Sequence, residues 1–287
     1  MTDKAVGKAP GDPVVLITGA SAGIGEACAR LFHAEGYRVA ACSNDPVPGF
    51  ELAEELNGRR AASAFFFECD VRDPERIAAF VDATADEFGR IDVLINNVGI
   101  PSLARTLDEH PVDEIRDYLD VNLLSYLLVT RSALPHVRRV RGSIVNIGSV
   151  SASIGGDRMV VYCATKGAIA AFSRALAIDE VHSGVRVNAV LPGNIMTASR
   201  QRLEDALPDP TELHDFIESW QWMGRSGAPA EVAQTCLFLA GEKASFITGT
   251  EIVVSGGLEL GVGPKYRTTV QDGHVVRIPL GGSTAQV

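Results

Sequence analysis

No apolar run in this 287-residue chain approaches the roughly 20 residues that a membrane-spanning helix requires. Its first residues also lack an apolar stretch of the signal-peptide kind, so the expectation is a soluble, cytoplasmic protein with no membrane partner. The five cysteines, Cys28, Cys42, Cys69, Cys163 and Cys236, are odd in number and have no CxxC spacing. That argues against a disulfide framework and suits a reducing compartment. The six histidines show no HExxH-type spacing, so no metal site is expected. Basic residues are outnumbered, 26 Lys and Arg against 36 Asp and Glu, and a net charge of −10 argues against a nucleic-acid partner. The dense basic patch Arg138, Arg139 and Arg141 precedes a strand-like run and reads as a solvated turn.

What is present is a hydrophobic content of 46%, enough for one large core, and a single domain is expected. Seven short apolar runs alternate with helical stretches: Val14 to Ile17, Arg38 to Cys42, Ala64 to Phe67, Val93 to Ile95, Ser143 to Ile147, Val185 to Val190 and Glu251 to Val254. Continuous apolar character implies burial on both faces. The βαβα alternation then implies an α/β fold, a doubly wound parallel sheet with helices on both sides. Residues 1–12 read as a flexible tail and 13–257 as the domain. Residues 194–227 form an unusually long connection with both tryptophans, Trp220 and Trp222, and Phe216 four positions before Trp220. An amphipathic lid and a surface helix packed on the core are both open readings. Residues 258–287 are polar and Gly-rich, and read as a tail that wraps a neighbouring subunit or lacks order.

Tyr162 and Lys166 stand four residues apart, a spacing that puts both on one helix face, and Ser149 closes the run from Gly142 thirteen residues before the tyrosine. A phenol titrates near 10, so a general base at neutral pH needs a lowered value. A cation about 5 Å away at an effective dielectric of about 20 supplies roughly 3 kcal/mol, about two pKa units. Lys166 is therefore expected to lower the phenol's pKa, with an oxidised nicotinamide adding a similar effect. A partly solvated Tyr-Lys pair on a helix is the plain alternative.

Strand, glycine turn and helix follow one another at Thr18-Gly19-Ala20-Ser21-Ala22-Gly23-Ile24-Gly25. Such a turn can cradle a phosphate at the helix N-terminus, or serve packing alone. Asp70 after the third strand suits either an acceptor for an adenine amino group or a helix N-cap region before Pro74. Asn96, Asn97, Val98 and Gly99 end the fourth strand, and Asn122 is a buried amide in a helical pattern that needs a carbonyl or a water as partner.

These residues occur together, in order, at the carboxyl ends of successive strands. The chain thereby resembles the short-chain dehydrogenase/reductase family over residues 13–257, on the glycine loop at 18–25, Asp70, Asn96 to Gly99, Asn122, Ser149, Tyr162, Lys166 and Pro192-Gly193. The resemblance implies a seven-stranded Rossmann-type sheet and hydride transfer between a nicotinamide and a secondary alcohol or ketone. It assigns Tyr162 as general base or acid, Ser149 to the substrate oxygen, Lys166 to the ribose and the tyrosine, and Asn122 to a water in a proton relay. The cofactor would be held by Gly19, Ser21, Gly23, Ile24, Gly25, Ser43, Asn44, Asp70, Val71, Asn97, Val98, Gly99, Tyr162, Lys166, Pro192, Gly193, Ile195 and Thr197. Self-association as a homotetramer or homodimer through the Tyr-Lys helix is also implied. Val98, Gly148 and Ser255 depart from the family's usual alanine, serine and aspartate.

The segments 192–197, 207–210 and 256–261 are similar to the group that contains 17-beta-hydroxysteroid dehydrogenase type 14 and L-fucose-oxidising enzymes. An acidic residue at the end of the second strand would select NAD, and Ser43 stands there instead, followed by Asn44 and Asp45. The cofactor is NAD(H) or NADP(H), with the preference undecided. Ile100, Ser151, Ser153, Gly156, Asn194, Met196 and Trp220 are expected to line the substrate pocket. A sugar or other cyclic alcohol ranks first as substrate, a steroid alcohol next, and a 3-oxoacyl thioester last. An acidic substrate would need Arg158, Arg200, Arg202 or Arg225. A non-catalytic dinucleotide sensor or scaffold is the alternative from another class, against which the intact set of Asn122, Ser149, Tyr162 and Lys166 weighs.

Overall fold

The computed structural model describes residues 11–205, 210–261, 266–271 and 274–279. Seven strands form one parallel sheet: β1 (Val14–Thr18), β2 (Arg38–Ser43), β3 (Ala64–Glu68), β4 (Val93–Asn96), β5 (Ser143–Ile147), β6 (Arg186–Pro192) and β7 (Glu251–Val254). Their order in the sheet is β3-β2-β1-β4-β5-β6-β7, reversing direction of growth between β1 and β4. The helices are α1 (Gly23–Ala34), α2 (Pro46–Arg59), α3 (Pro74–Phe88), α4 (Val112–Leu119), α5 (Ser125–Val140), α6 (Val160–Glu180), α7 (Ala198–Asp205), α8 (Pro210–Glu218) and α9 (Pro229–Ala240). The seven apolar runs read from the sequence are these seven strands, within two residues at each end.

Alternation along β1 shows why the sheet must be covered twice. Val15 and Ile17 join the core under α1, α2 and α9, whereas Val14 and Leu16 join the core under α3, α5 and α6. All five β1 residues are buried, and a strand with no solvated face reads as a continuous apolar run. The edge strands β3 and β7 are the exceptions, with Glu68 and Val253 exposed.

Asp73, not Asp70, caps α3, its carboxylate accepting from the Glu75 and Arg76 amides. Beyond Gly257 a short 3-10 turn, Leu258–Leu260, buries Leu258. Two further strands, β8 (Tyr266–Gln271) and β9 (His274–Pro279), then pair as an antiparallel hairpin. The N-terminal tail up to residue 10 and the Leu207-Pro208-Asp209 segment lie outside the described residues.

Candidate active site

The turn after β1 brings the chain back onto itself. Gly19 has φ +65°, and a Cβ added at Gly25 would stand 2.2 Å from the Gly19 carbonyl oxygen, so both positions demand glycine. The turn is held from β4: the Asn97 side-chain amide donates to the Thr18 and Gly19 carbonyls at 3.0 and 2.9 Å, while Thr18 Oγ1 accepts from the Asn97 and Val98 amides. Thr18 is thus a positioning residue to which the sequence reading gave no separate role. Ala22 precedes α1 in extended conformation and offers no side-chain cap hydrogen bond, so it does not occupy the first-turn amides of the helix. A pyrophosphate fits this cradle. Thr197, from the segment after β6, closes over it, with its Cγ2 3.2 Å from where a Cβ on Gly23 would lie. Ser21 is half-buried, Ile24 packs against the core beneath, and Val71 is buried behind the end of β3.

At the end of β2 the Ser43 hydroxyl bonds to the Asp45 backbone, donating to its carbonyl and accepting from its amide, and Asn44 is exposed beside it. Arg72 grips Asp70, its guanidinium contacting both carboxylate oxygens at 2.8–3.2 Å and holding the carboxyl below its ordinary range.

Asn122 sits in a π-turn, Asp120–Leu124, between α4 and α5. Its side chain accepts from the Ile100 amide at 2.7 Å and donates to the Ile100 carbonyl at 3.0 Å. The partner of this buried amide is therefore a backbone peptide at the edge of the cleft. A π-turn of this kind interrupts regular helix pairing and recurs at functional sites.

Three side chains converge beyond β5. Ser149 is buried and its Oγ accepts from the Ser151 amide at 3.1 Å. It also acts on the half-buried Tyr162 phenol, favouring its charged form. Lys166 is buried, donates from Nζ to the Ile147 carbonyl at 3.1 Å, and lies between the rings of Tyr126 and Tyr162, 5.7 and 5.8 Å from their centroids. A Cβ placed on Gly99 would stand 3.3 Å from Asn122 Oδ1 and 3.6 Å from Lys166 Nζ, so Gly99, Asn122 and Lys166 meet at one spot.

The electrostatics reverse one expectation. Burial raises the Tyr162 phenol above its ordinary value, opposed by the Ser149 side chain, and Lys166 does not bring it down. The reason is that the lysine is itself desolvated: burial lowers it to about 8, and its ammonium is directed at the Ile147 carbonyl.

After β6, the Gly193 amide donates to the Val254 carbonyl at 3.0 Å, and Ile195 is buried. The Asn194 side chain donates to Gln221 Oε1 at 2.7 Å, and Met196 and Gly227 join through a backbone bond of 2.8 Å. The tryptophans follow α8 rather than belonging to it: Trp220 is half-buried in the turn after the helix, and exposed Trp222 packs on the Gly257 turn. The Phe216 side chain lies outside the described residues. Within 194–227, Arg200 Nε contacts Glu204 at 2.7 Å and its Nη2 contacts Glu218 at 3.1 Å, while Ser226 Oγ donates to Glu218 at 2.6 Å.

The departures from the family pattern have local causes. A Cβ at Gly148 would meet Leu191 Cδ2 at 2.5 Å, so Leu191 fills the space a serine would need. Ser255 Oγ accepts from the Gly257 and Leu258 amides at 3.0 and 3.1 Å and donates to the Glu259 carboxylate, holding the turn after β7.

The enoyl-(acyl carrier protein) reductase family model matches residues 19–259. L-fucose dehydrogenase of Oryctolagus cuniculus is 42% identical over 252 residues, 88% of this chain and 87% of that protein. Among solved structures, ligand-free aldohexose dehydrogenase of Thermoplasma acidophilum is 36% identical with TM-score 0.79, covering 88% of this chain and 95% of that one. A structure of ElxO with NADP bound is 30% identical with TM-score 0.80, covering 88% and 100%. With the sheet order, the glycine cradle and these likenesses, the chain belongs to the short-chain dehydrogenase/reductase family and is an oxidoreductase of that family.

Proposed function

We propose that the chain interconverts a secondary alcohol and a ketone, or a sugar hemiacetal and its lactone, with NAD(H) or NADP(H). The observation that carries this reading is the convergence of Ser149, Tyr162 and Lys166 beside Gly99 and Asn122, at the carboxyl ends of β4 and β5. The glycine cradle, Ser43, Asp70 and the 192–197 segment would hold the dinucleotide, whose nicotinamide, when bound, takes or returns the hydride. Ser149 holds the substrate oxygen. Tyr162 accepts the hydroxyl proton in oxidation and returns it in reduction. Its raised pKa keeps the phenol protonated at neutral pH, ready to act as an acid.

A neutral sugar or cyclic alcohol is the favoured substrate. Arg158 pairs with Glu109, Arg200 with Glu204 and Glu218, and Arg225 with Glu231, so these cations are already neutralised and do not serve a carboxylate or carrier phosphate. Two of the relatives above are named for sugar oxidation, which supports the same choice. Self-association through α6 is supported by Val160 and Ile178, apolar side chains this helix leaves exposed, and by exposed Val181 just after it. A cytoplasmic location is supported by five free thiols.

The test follows absorbance of the reduced nicotinamide with each dinucleotide against sugars, polyols, steroids and keto-esters. Turnover of a neutral sugar or polyol is expected, with a loss of about 10²- to 10⁴-fold in Tyr162→Phe. Wild-type protein that binds reduced dinucleotide yet turns over nothing in the panel would favour the sensor or scaffold.

A further inference from the structure

Two non-glycine residues near the site adopt left-handed backbone, Ala104 with φ +53° and Arg158 with φ +55°, and they touch each other. Arg158 Nε donates to the Ala104 carbonyl at 2.7 Å, its guanidinium pairs with Glu109, and the Ser102 hydroxyl donates to the Arg158 carbonyl at 3.4 Å. Such conformations persist only where the surroundings over-determine them, and a strained pair that closes on itself beside a reaction site points to function.

The clasp joins the two segments that frame the tyrosine. On one side runs 100–104, already gripped at Ile100 by Asn122, and at Pro101 and Leu103 by the buried Tyr118 phenol, which donates to the Pro101 carbonyl at 2.7 Å and accepts from the Leu103 amide at 3.0 Å. On the other side runs the mostly exposed 153–158 stretch between Ser149 and Tyr162, with Gly155 and Gly156 in its middle. Helix α6 begins at Val160, its N-cap Met159 offers no side-chain hydrogen bond, and Tyr162 lies in its first turn. First turns without a cap fray. Arg158, two residues before the helix, supplies the anchor that the cap does not. The ion pair with Glu109 is exposed on both sides and carries little stability by itself, so its use lies in placement.

We infer that Arg158 is a positioning residue that fixes the first turn of α6, and with it the Tyr162 phenol, by clasping Ala104 across the site. The inference rests on Tyr162 being the proton-transfer group. Hydrogen exchange measured on wild-type, Arg158→Ala and Arg158→Lys protein needs no substrate, and so separates the two ideas. Amides of residues 163–166, which donate back to the carbonyls of the first turn, should exchange at least about tenfold faster in both variants, the lysine retaining charge toward Glu109 but losing the Nε donor. With a substrate in hand, kcat should fall by about ten- to a hundredfold while the KM for dinucleotide stays within about twofold. Added guanidinium should restore part of that rate in Arg158→Ala. Unchanged exchange at the first turn, or an unchanged kcat per folded molecule, would overturn the clasp; a wild type without turnover would count only against the proposed chemistry.

Discussion

Lys166 donates to the Ile147 main-chain carbonyl at 3.1 Å, and the Tyr126 phenol meets the same oxygen at 2.9 Å. The lysine is thus held at the end of β5 by a shared acceptor, away from bulk water, and burial brings its pKa from 10.5 to about 8.

That placement has a pH signature. Below about pH 8 the folded chain carries a buried ammonium, whereas the unfolded chain keeps its proton up to about 10.5. Between those values the unfolded state binds more protons, so this group makes stability rise with pH, and the cost it imposes is fully present below pH 8. Replacing Lys166 by Met should therefore gain more stability at pH 7 than at pH 10.5, by a difference on the order of 3 kcal/mol. Thermal melts of both proteins across this range read the difference, and a constant offset would refute it.

The glycine cradle makes a contrasting pair of forecasts. Gly25→Ala sets a Cβ 2.2 Å from a backbone oxygen and 2.6 Å from Asn97 Nδ2, so the loop must move. A cost of about 1–3 kcal/mol and loss of dinucleotide binding are expected. Gly167→Ala, inside α6 with only the Ala152 carbonyl at 3.9 Å, should stabilise by about 0.5–1 kcal/mol. Denaturant unfolding, with titration of reduced dinucleotide, checks both.

Gly148→Ser tests whether Leu191 replaced the family's serine in volume. The added Cβ meets Leu191 Cδ2 at 2.5 Å, so the single change should destabilise by about 1–3 kcal/mol. Shortening the neighbour as Leu191→Val in the same chain should recover part of that loss. The coupling in a double-mutant cycle is the quantity to measure.

Arg200 is nearly buried with two carboxylates, Glu204 and Glu218, and His214 adds a contact to Glu204 at 3.1 Å. Arg200→Met leaves both acids without their main cation, at a cost of about 3–5 kcal/mol. Protease cleavage within 198–218 should rise near neutral pH. The defect should shrink as pH falls, because Glu204, held below its ordinary value in part by Arg200, then takes up a proton.

Much of the fold was legible because its signals are local. The five inner strands, β1, β2, β4, β5 and β6, are buried on both faces, and Val14 to Thr18 shows why such a strand appears as an unbroken apolar run. The four-residue interval between Tyr162 and Lys166 is a helix repeat, and the helix over 160–180 brings the pair to one region. Thr18 was read only as part of the glycine loop, since its bonds run to residues 79 and 80 positions away. The Arg158 clasp had no sequence signal: Ala104 is an ordinary alanine 54 positions distant, and left-handed backbone there follows from neither residue's propensity.

The sequence by itself determined the parallel sheet and the glycine turn, because periodicity and spacing act over a few residues, and its resemblance to the short-chain dehydrogenase/reductase family singled out Asn122, Ser149, Tyr162 and Lys166. Only the tertiary structure decided how burial acts on two of that set. It lowers the Lys166 ammonium to about 8 and raises the Tyr162 phenol, where charge alone had pointed to a lowered tyrosine. The tertiary structure also decided which arginines are paired with distant acids, since Glu109 and Glu218 become partners of Arg158 and Arg200 only once turns and helices are packed together, whereas Glu204 is one helical turn from Arg200.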